Sequence, residues 1–340
     1  MTQVANTVSD TSACPRVSVW MLTYNHEKFI AQAIESVLMQ QANFDYELVI
    51  GEDCSTDGTR AIVAGYQARY PDRIRALLSE KNIGMQNNAR QTFAACRGKY
   101  IAFLEGDDYW TSSDKLQRQS DYLDIHPECS MCFHNVVSEN TDKSSETDLR
   151  FTEPMLDYYT LDDIAVVDFI PTASVMVRAG MVLNLPAWYW KMPVLDWPLW
   201  VISSQHGKLG YIDEVMGVYR IHSGGDWSRR SDLQRAETNL VVAPTIRREL
   251  RLRVPRLDQR IHKIRREAIQ LTMEMADFKR ASFHAKRYLA SSFSFLFYEF
   301  FFLLNLVIHG DAPRLWRLLQ RIKAIILGRR SHGNKPRITS

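Results

Sequence analysis

Three carboxylates follow directly on a short apolar segment of the chain. Tyr100–Leu104 has the composition of a buried strand. Glu105, Asp107 and Asp108 come immediately after it, with only a glycine between the first two. Carboxylates crowded at the end of a hydrophobic strand repel one another and lose hydration, so such a cluster is kept mainly where a cation lies among the oxygens. Mg²⁺ and Mn²⁺ suit these ligands; a solvated acidic turn is the alternative.

The segments around this cluster alternate between strand-like and helix-like patterns. Strands are predicted over residues 16–22, 46–50, 74–78 and 100–104, with helices over 26–40, from after Thr59 to about Tyr70, and over 85–96. Strands that alternate with helices in this way predict an α/β fold, with a mostly parallel central sheet flanked by helices.

Polar residues are concentrated just beyond the ends of these strands. They form four groups: Thr23–Asn25, Glu52–Asp57, Asn82–Gly84 and Glu105–Asp108. Ligands of parallel sheets bind beyond the carboxyl ends of the strands, so the four groups are expected to converge on one crevice. Within them, Asn25 is predicted to cap the first helix, and Asp57 either caps the second helix or contacts a ligand.

Common signatures of other nucleotide-binding and hydrolytic sheets are missing from the sequence. It has no G-x-G-x-x-G after the first strand, no G-x-x-x-x-G-K-[ST], no G-x-S-x-G and no H-E-x-x-H. The five cysteines form no disulfide-scaffold pattern, which favours a reducing compartment. Cys129 and Cys132 are expected to be core residues, and residues 1–15 have no apolar signal core.

The charge of the chain is unevenly distributed. Residues 1–225 hold 18 Lys and Arg against 29 Asp and Glu, a net charge of −11, whereas residues 226–340 hold 24 against 10, a net charge of +14. A basic second part of this kind predicts an anionic partner, either a membrane surface or a nucleic acid.

Several motifs together carry a resemblance to a known family. They are Leu22-Thr-Tyr-Asn25, Glu52-Asp-Cys-Ser-Thr-Asp-Gly-Thr59, Lys81-Asn-Ile-Gly84, Glu105-Gly-Asp-Asp108, Leu195-Asp-Trp-Pro-Leu-Trp200 and Tyr219-Arg-Ile-His-Ser-Gly-Gly225. In this order and spacing, residues 16–225 resemble a family 2 glycosyltransferase with the GT-A fold. The resemblance implies a nucleotide-diphospho-sugar donor, most readily a UDP-sugar. It also implies Mn²⁺ or Mg²⁺ and inverting transfer of the sugar to an acceptor hydroxyl.

The same resemblance suggests which residues contact the donor nucleotide. Thr23 and Asn25 would line its crevice. Asp53 matches the aspartate that hydrogen-bonds the base, with Glu52 and Asp57 on either side. Two further residues, Asn82 and Arg90, are assigned to the nucleotide or the sugar. Arg90 pairing with an acidic loop is an equal alternative.

Glu105 and Asp107 match the two acidic positions of the D-x-D motif, although the first is normally Asp. Asp107 is the predicted direct metal ligand, and the longer Glu105 would reach a ribose hydroxyl or a water on the metal. Asp108 would touch the donor sugar. His222 is the second predicted ligand, for the metal or a phosphate oxygen.

Asp196 is the predicted general base, since a carboxylate within reach of the acceptor hydroxyl can take its proton. The family usually has Glu-Asp at this point, whereas this chain has Leu195-Asp196. Nearby tryptophans would stack on sugars or pack in the core, and the core is favoured for some of them; they are Trp188, Trp190, Trp197 and Trp200.

Residues 226–340 are predicted to form a basic helical extension, with helices over 233–253 and 257–291. Residues 288–310 suit an interfacial helix better than a membrane span, because Glu299 would lie in mid-membrane. Residues 313–327 combine Arg and Lys with Leu and Trp316, so 288–330 are predicted to contact an anionic membrane. The alternative is a helix docked on the protein core.

Taken together, these patterns predict a metal-dependent, inverting glycosyltransferase. It would lie peripherally at the cytoplasmic face of a membrane and act on a glycan or lipid-linked acceptor in surface polysaccharide or glycolipid synthesis. Of the two anionic partners, a membrane surface is preferred because the basic tail is rich in apolar residues, and no nucleic-acid partner is predicted. The alternatives are a non-catalytic nucleotide-sugar-binding or scaffold protein, which the departures at Glu105 and Leu195 allow, and a nucleotidyltransferase on a similar sheet. A nucleotidyltransferase usually has a glycine-rich, basic loop after the first strand, and this chain has none there.

Overall fold

The structure is a computed structural model that describes residues 14–142, 147–153, 155–182 and 184–289, together with residues 304 and 307. The chain divides after Arg229 into two compact units. This boundary falls four residues after the one expected from the sequence patterns, which lies between residues 225 and 226. Each unit has buried apolar clusters of its own.

The first unit is built on one large sheet. Its strands are β1 (Val17–Thr23), β2 (Tyr46–Glu52), β3 (Ile74–Leu78), β4 (Tyr100–Glu105), β5 (Tyr109–Trp110), β6 (Cys129–Asn140), β7 (Thr147–Leu149), β8 (Tyr158–Tyr159), β9 (Met176–Arg178) and β10 (Lys208–Ile221).

Helices connect and flank these strands. They are α1 (Ile30–Leu38), α2 (Thr59–Arg69), α3 (Met85–Ala95), α4 (Lys115–Ile125), α5 (Leu161–Ile164), α6 (Ala179–Val182) and α7 (Asp196–Ser204), with 3-10 helices at Thr172–Ser174 and Tyr189–Lys191.

The strand order across the sheet is β3-β2-β1-β4-β9-β6-β10-β5. The first four strands of this order run parallel to one another, as the sequence predicts. β9 then pairs antiparallel with both β4 and β6, and β10 runs parallel to β6. The mixed sheet flanked by helices is the expected GT-A architecture.

The register of the parallel strands brings their carboxyl ends level. Thr23 is aligned with Glu52, and Leu22 with Glu105. Every residue of β2 and nearly every residue of β1 is buried, as expected for central strands covered on both sides. The loops that follow β1, β2 and β4 therefore begin side by side at one edge of the sheet.

The predicted cap of the first helix is wrong. α1 begins at Ile30, and Phe29 precedes it without a side-chain capping bond. Asn25 instead adopts a left-handed backbone conformation with φ of 57°, and its side-chain oxygen accepts a bond from the Thr56 amide at 2.8 Å. A residue in this conformation cannot begin a helix, so Asn25 joins the loop after β1 to the loop after β2.

The described part of the second unit contains three helices: α8 (Asp232–Glu249), α9 (Pro255–Glu274) and α10 (Phe278–Leu289). One continuous helix over 257–291 was expected, and this expectation is wrong. The chain turns at Ala276, whose φ is 55°, and the Asp277 side chain then accepts the Arg280 amide at 3.1 Å. An aspartate that caps a new helix explains the break.

The predicted membrane-contacting segment falls mostly outside the described residues. Of residues 288–330, the structure describes only 288, 289, 304 and 307. Across the part of the chain that is described, no helix combines the length and the apolar composition that a membrane crossing needs.

Candidate active site

The three carboxylates after β4 form one cluster. Glu105, Asp107 and Asp108 each offer an oxygen, and these oxygens lie within 4.8 Å of one another. The turn is tight because Gly106 packs against the loop after β1. A Cβ at this position would lie 2.8 Å from Thr23 Oγ1 and 3.0 Å from His26 Nδ1. Glycine therefore lets the acidic turn approach the first loop closely.

Ionisation of two of these carboxylates is unfavourable, because they are buried and close to other negative charges. Burial, together with the charges of Asp107, Asp196 and Asp226, raises the pKa of Glu105 to about 8. Burial and the charges of Asp107 and Glu105 also raise the pKa of Asp108 well above its usual value. Without a cation, the cluster consequently retains protons on some of its carboxylates at neutral pH.

Asp107 lies between two histidines. Its Oδ2 is 3.1 Å from His222 Nε2 and 3.7 Å from His26 Nε2. Burial raises the pKa of Asp107, but the two histidines outweigh burial and hold this pKa below its usual value. The structure thus brings together the two residues expected to bind the metal, and it adds His26, which the sequence motifs did not single out.

Arg220 fixes the backbone of the acidic turn from β10. Its amide donates to Asp108 Oδ1 at 2.8 Å, and its guanidinium donates to the Asp107 carbonyl oxygen at 2.8 Å. The guanidinium is also stacked 4.3 Å from the centre of the Tyr109 ring. This role was missed from the sequence, where the only signal is the position of Arg220 two residues before His222.

Asp108 is turned into the protein. It is 1% exposed, and Oδ1 is bonded to the Arg220 amide. Its Oδ2 is buried without a hydrogen-bond partner among the described residues. The expected contact of Asp108 with a donor sugar therefore stays a prediction.

Glu52 and Asp53, at the loop after β2, use their carboxylate oxygens in bonds within the protein. Glu52 accepts the Ser55 amide at 2.6 Å and pairs with Arg60 at 2.8 Å. Asp53 accepts the amides of Ile83 and Gly84 at 2.7 and 3.0 Å. These bonds bring the Asn82–Gly84 segment to the loop after β2. Both aspartate oxygens are used, so contact with a nucleotide base would have to share them.

Asp57 lies directly before Gly58, the N-cap residue of α2, and is not itself the cap. It accepts the Thr59 amide at 3.0 Å and the Glu27 amide at 3.1 Å. Burial acts to raise its pKa, but the bonds from Thr59 and Glu27 keep it below the usual value. Asp57 thus ties the start of α2 to the first loop, and ligand contact remains untested.

Of the remaining nucleotide candidates, Asn82 and Arg90 lie at the surface. Asn82 is exposed, and its side chain accepts the Gly84 amide at 3.1 Å. Arg90 is exposed on α3, and it has no ion pair within the described ranges. Thr23 differs, because it is 3% exposed and its Oγ1 is buried without a described partner. This hydroxyl lies beside Gly106 of the acidic turn, and its contact with a nucleotide stays a prediction.

Asp196 begins α7, and its Oδ1 accepts the amide of Trp197 at 2.8 Å. Its charge contributes to the raised pKa of Glu105, so it belongs to the same acidic region. The charge of Asp196 also acts on Asp168, which was not predicted as a site residue. Burial, followed by the charge of Asp196, raises the pKa of Asp168 well above its usual value. A lone aspartate in an irregular segment gave no signal in the sequence.

Two of the tryptophans after Asp196 are core residues. Trp197 is 2% exposed and donates from Nε1 to the Ile164 carbonyl at 2.7 Å. Trp200 is fully buried and packs edge-on against Phe103 at 5.4 Å. Trp190 packs against Phe93, while Trp188 is partly exposed. The core alternative is confirmed for Trp197 and Trp200. Cys129 and Cys132 are buried free thiols, also as expected.

Residues 18–179 match the family model described as Glycosyl transferase family 2. This match covers 162 of the 340 residues, and it agrees with the resemblance carried by the sequence motifs. An uncharacterized protein of Mycobacterium tuberculosis (strain ATCC 25618 / H37Rv) is 38% identical over 217 residues, which are 62% of this chain and 60% of that protein. A putative teichuronic acid biosynthesis glycosyltransferase, TuaG of Bacillus subtilis (strain 168), is 35% identical over 119 residues, which are 35% of this chain and 46% of TuaG. The chain thus spans about 60% of the length of the first of these relatives.

Solved structures share the fold. S. aureus TarS 1-349 in complex with UDP-GlcNAc superposes with a TM-score of 0.59 at 17% identity, over 81% of each chain. The mannosyltransferase PcManGT from Pyrobaculum calidifontis, in complex with GDP-Man and Mn²⁺, superposes with a TM-score of 0.51 at 14% identity, over 93% of this chain and 86% of that one. At these identities, the likeness shows the GT-A fold alone.

Proposed function

We propose that this protein transfers a sugar from a nucleotide-diphospho-sugar to an acceptor hydroxyl, with inversion at the anomeric carbon. The observation that supports it most is the acidic turn after β4. There Asp107 lies between His26 and His222, and the charge of Asp196 reaches Glu105. The match of residues 18–179 to the glycosyl transferase family 2 model supports the same reaction type.

The residues of this turn fit a divalent cation. Carboxylate oxygens and an imidazole are ligands that Mn²⁺ accepts, and Mg²⁺ accepts the oxygens. The buried, unbonded Oδ2 of Asp108 and the raised pKa of Glu105 are both features that a nearby positive charge would relieve. Asp107 and His222 would hold the ion. When bound, it would supply positive charge opposite the diphosphate as the nucleoside diphosphate leaves.

Asp196 is the proposed general base. Its carboxylate would accept the proton of the acceptor hydroxyl while that oxygen bonds to the anomeric carbon. The nucleoside diphosphate departs from the opposite face with the electron pair of the broken bond. Attack opposite to the leaving group inverts the anomeric configuration, so an α-linked donor would give a β-linked product.

The donor side is assigned to the loops after β1, β2 and β3. Thr23 offers an unbonded hydroxyl beside the acidic turn. Asn25, Glu52, Asp53 and Asp57 shape the adjoining loops, and Asn82 and Arg90 lie at their rim. A UDP-sugar is the proposed donor, and TarS has been solved with UDP-GlcNAc.

The proposed acceptor is a glycan or lipid-linked glycan in the synthesis of a surface polysaccharide, in keeping with the relative TuaG.

We further propose peripheral contact of residues 288–330 with an anionic membrane at its cytoplasmic face, supported by the net charge of +14 after residue 225. Flotation with vesicles rich in phosphatidylglycerol tests it. Replacing Arg314, Arg317 and Arg321 by Glu should abolish flotation; unchanged flotation would contradict the proposal.

Release of nucleoside diphosphate from a panel of UDP- and GDP-sugars with Mn²⁺ tests the reaction. Asp107→Ala should lower the rate by on the order of 100-fold or more, because it removes a cation ligand beside the leaving group. Asp72→Ala, at an exposed acid, is the matched control. Equal rates for wild type and Asp107→Ala would contradict the proposal. Donor binding without any release would favour the non-catalytic alternative.

A further inference from the structure

Helix α10 has an exposed face opposite the face that packs within the second unit. Its buried side chains are Ala281, Ser282, His284, Ala285 and Tyr288. A buried apolar cluster joins two of them to Ile269 of α9. Lys279, Phe283 and Lys286 are exposed and are spaced by four and three residues along the helix. Side chains at this spacing share one side of a helix, so the three lie on the exposed face.

This exposed face of α10 is basic and carries an aromatic ring. The helix contains Lys279, Arg280, Lys286 and Arg287, and it contains no Asp or Glu. Phe283 is 53% exposed, and the Arg287 guanidinium lies 5.4 Å from the centre of its ring. A ring bordered by cations suits the boundary between anionic lipid headgroups and acyl chains, where both kinds of side chain are favoured.

A polar contact with α8 fixes the rotation of α10 about its own axis. Glu237 of α8 accepts a hydrogen bond from Arg280 Nε at 2.8 Å and lies 3.2 Å from Nε2 of the buried His284. Successive side chains of an α-helix point about 100° apart. His284 faces α8, and Phe283 is therefore directed away from this contact.

Apolar exposure in this part of the chain is concentrated around the start of α10. Within residues 250–288, the large apolar side chains that are exposed are Met275, Phe278 and Phe283. Met275, at the turn before the helix, is 64% exposed. Residues 288–330, for which membrane contact is proposed above, follow this region directly. Single exposed apolar residues are ordinary, but a group of them beside cations, next to such a segment, indicates a surface that faces lipid.

We propose, on the basis of the membrane contact proposed above, that the exposed face of α10 docks on an anionic lipid bilayer. Phe283 enters the headgroup region of the bilayer. Lys279, Lys286 and Arg287 lie beside the lipid phosphates and keep their charged ends in contact with water. A lipid surface accounts for the ring and the cations together, whereas the phosphates of a duplex nucleic acid would account for the cations alone.

Sedimentation of the full chain with vesicles tests the charges of this face. The vesicles are equimolar phosphatidylglycerol and phosphatidylcholine, in low salt. Lys279→Gln combined with Lys286→Gln should weaken binding about 25-fold, or about fivefold per cation removed next to an anionic surface. Arg69→Gln combined with Lys208→Gln, which removes two exposed cations from the first unit, should leave binding unchanged. Unchanged binding of the α10 double variant would overturn the proposal.

The aromatic ring separates a lipid surface from a nucleic acid. Phe283→Ala should weaken vesicle binding about tenfold, because it removes the apolar group that enters the bilayer. Alanine favours helices, so α10 should stay folded in this variant. Phe283→Trp should bind as tightly as wild type, and so should Ile125→Ala, at an exposed residue of the first unit. Vesicle binding that Phe283→Ala leaves unchanged, together with binding of duplex DNA that needs Lys279 and Lys286, would overturn the lipid surface in favour of a nucleic acid.

Two further outcomes separate this proposal from those above. Flotation that is lost on replacing Arg314, Arg317 and Arg321 by Glu, with α10 variants that bind as wild type, would overturn docking through α10. It would leave the contact through residues 288–330 standing. Loss of vesicle binding in the α10 variants of a protein that releases no nucleoside diphosphate would support the docking and contradict the proposed reaction.

Discussion

Mn²⁺ binding should release protons from the acidic turn. In the ion-free protein, the Glu105 pKa is about 8, owing to burial and to the charges of Asp107, Asp196 and Asp226. Glu105 is then about 90% protonated at pH 7 and about 99% at pH 6, from the ordinary titration relation. A cation held beside Glu105 by Asp107 and His222 favours the ionised carboxylate, so its binding should displace about 0.9 proton from Glu105 at pH 7. Any proton held by Asp108 would add to this number.

The same linkage predicts how affinity and stability depend on pH. Mn²⁺ should bind about 50-fold more tightly at pH 8 than at pH 6, since the protonated fraction falls from nearly all to one half. The stability of the ion-free protein depends on pH with the opposite sign to the Mn²⁺ affinity. The unfolded chain loses this proton near pH 4.5, whereas the folded protein keeps it to about pH 8, so the raised pKa makes stability fall as pH rises through that window.

Isothermal titration calorimetry in two buffers of different ionisation enthalpy measures the proton release directly. Glu105→Gln should reduce the release at pH 7 by about 0.9 proton, because the variant has no proton to displace there. Asp72→Asn should behave as wild type, since Asp72 is exposed. Mn²⁺ binding with no proton release, and with the same affinity at pH 6 and pH 8, would refute the reasoning.

Three further substitutions test other parts of the structure. Lys115→Met should raise the free energy of unfolding in urea by roughly 2–4 kcal/mol at pH 7, since burial lowers the Lys115 pKa to about 7. As the pH rises above 7, the free energy of unfolding of the wild type should increase by about 1.4 kcal/mol per pH unit and so approach that of the variant. Trp200→Ala should cost about 3–5 kcal/mol of stability without raising the donor KM, because Trp200 is a core residue; a raised KM in a stable variant would favour sugar stacking. Arg220→Met should weaken Mn²⁺ binding measured by calorimetry about tenfold or more, because it frees the turn that carries Asp107; unchanged affinity would show that the turn holds its shape unaided.

The sequence predicted the parallel half of the fold well. β3 was expected at 74–78 and is Ile74–Leu78, and α3 was expected over 85–96 and ends at Ala95. These elements are local, since apolar periodicity and flanking turn residues specify them. β9 was missed because three residues show no periodicity, and it pairs antiparallel with strands far away in the chain. The turn at Ala276 was missed because alanine rarely takes a left-handed conformation.

The acidic turn could be found from the sequence because its residues are adjacent, and parallel topology predicts where it lies. His26, Asp168 and Arg220 could not be found in this way. Each is a single polar residue whose neighbours come from other elements, as when the Arg220 amide on β10 reaches Asp108 after β4. Spacing along the chain carries no information on such contacts. Likewise, the internal bonds of Glu52 and Asp53 become visible only when the loops are placed together.

Calorimetric binding of a UDP-sugar with and without Mn²⁺ tests the central claim most directly, namely that the turn around Asp107 holds a cation that binds the donor diphosphate. Mn²⁺ should strengthen donor binding at least about tenfold in wild type and in Asp72→Ala, since the diphosphate needs a positive partner. In Asp107→Ala, Mn²⁺ should give no gain. The same gain in donor affinity from Mn²⁺ in wild type and in Asp107→Ala, or no gain in wild type, would contradict the claim.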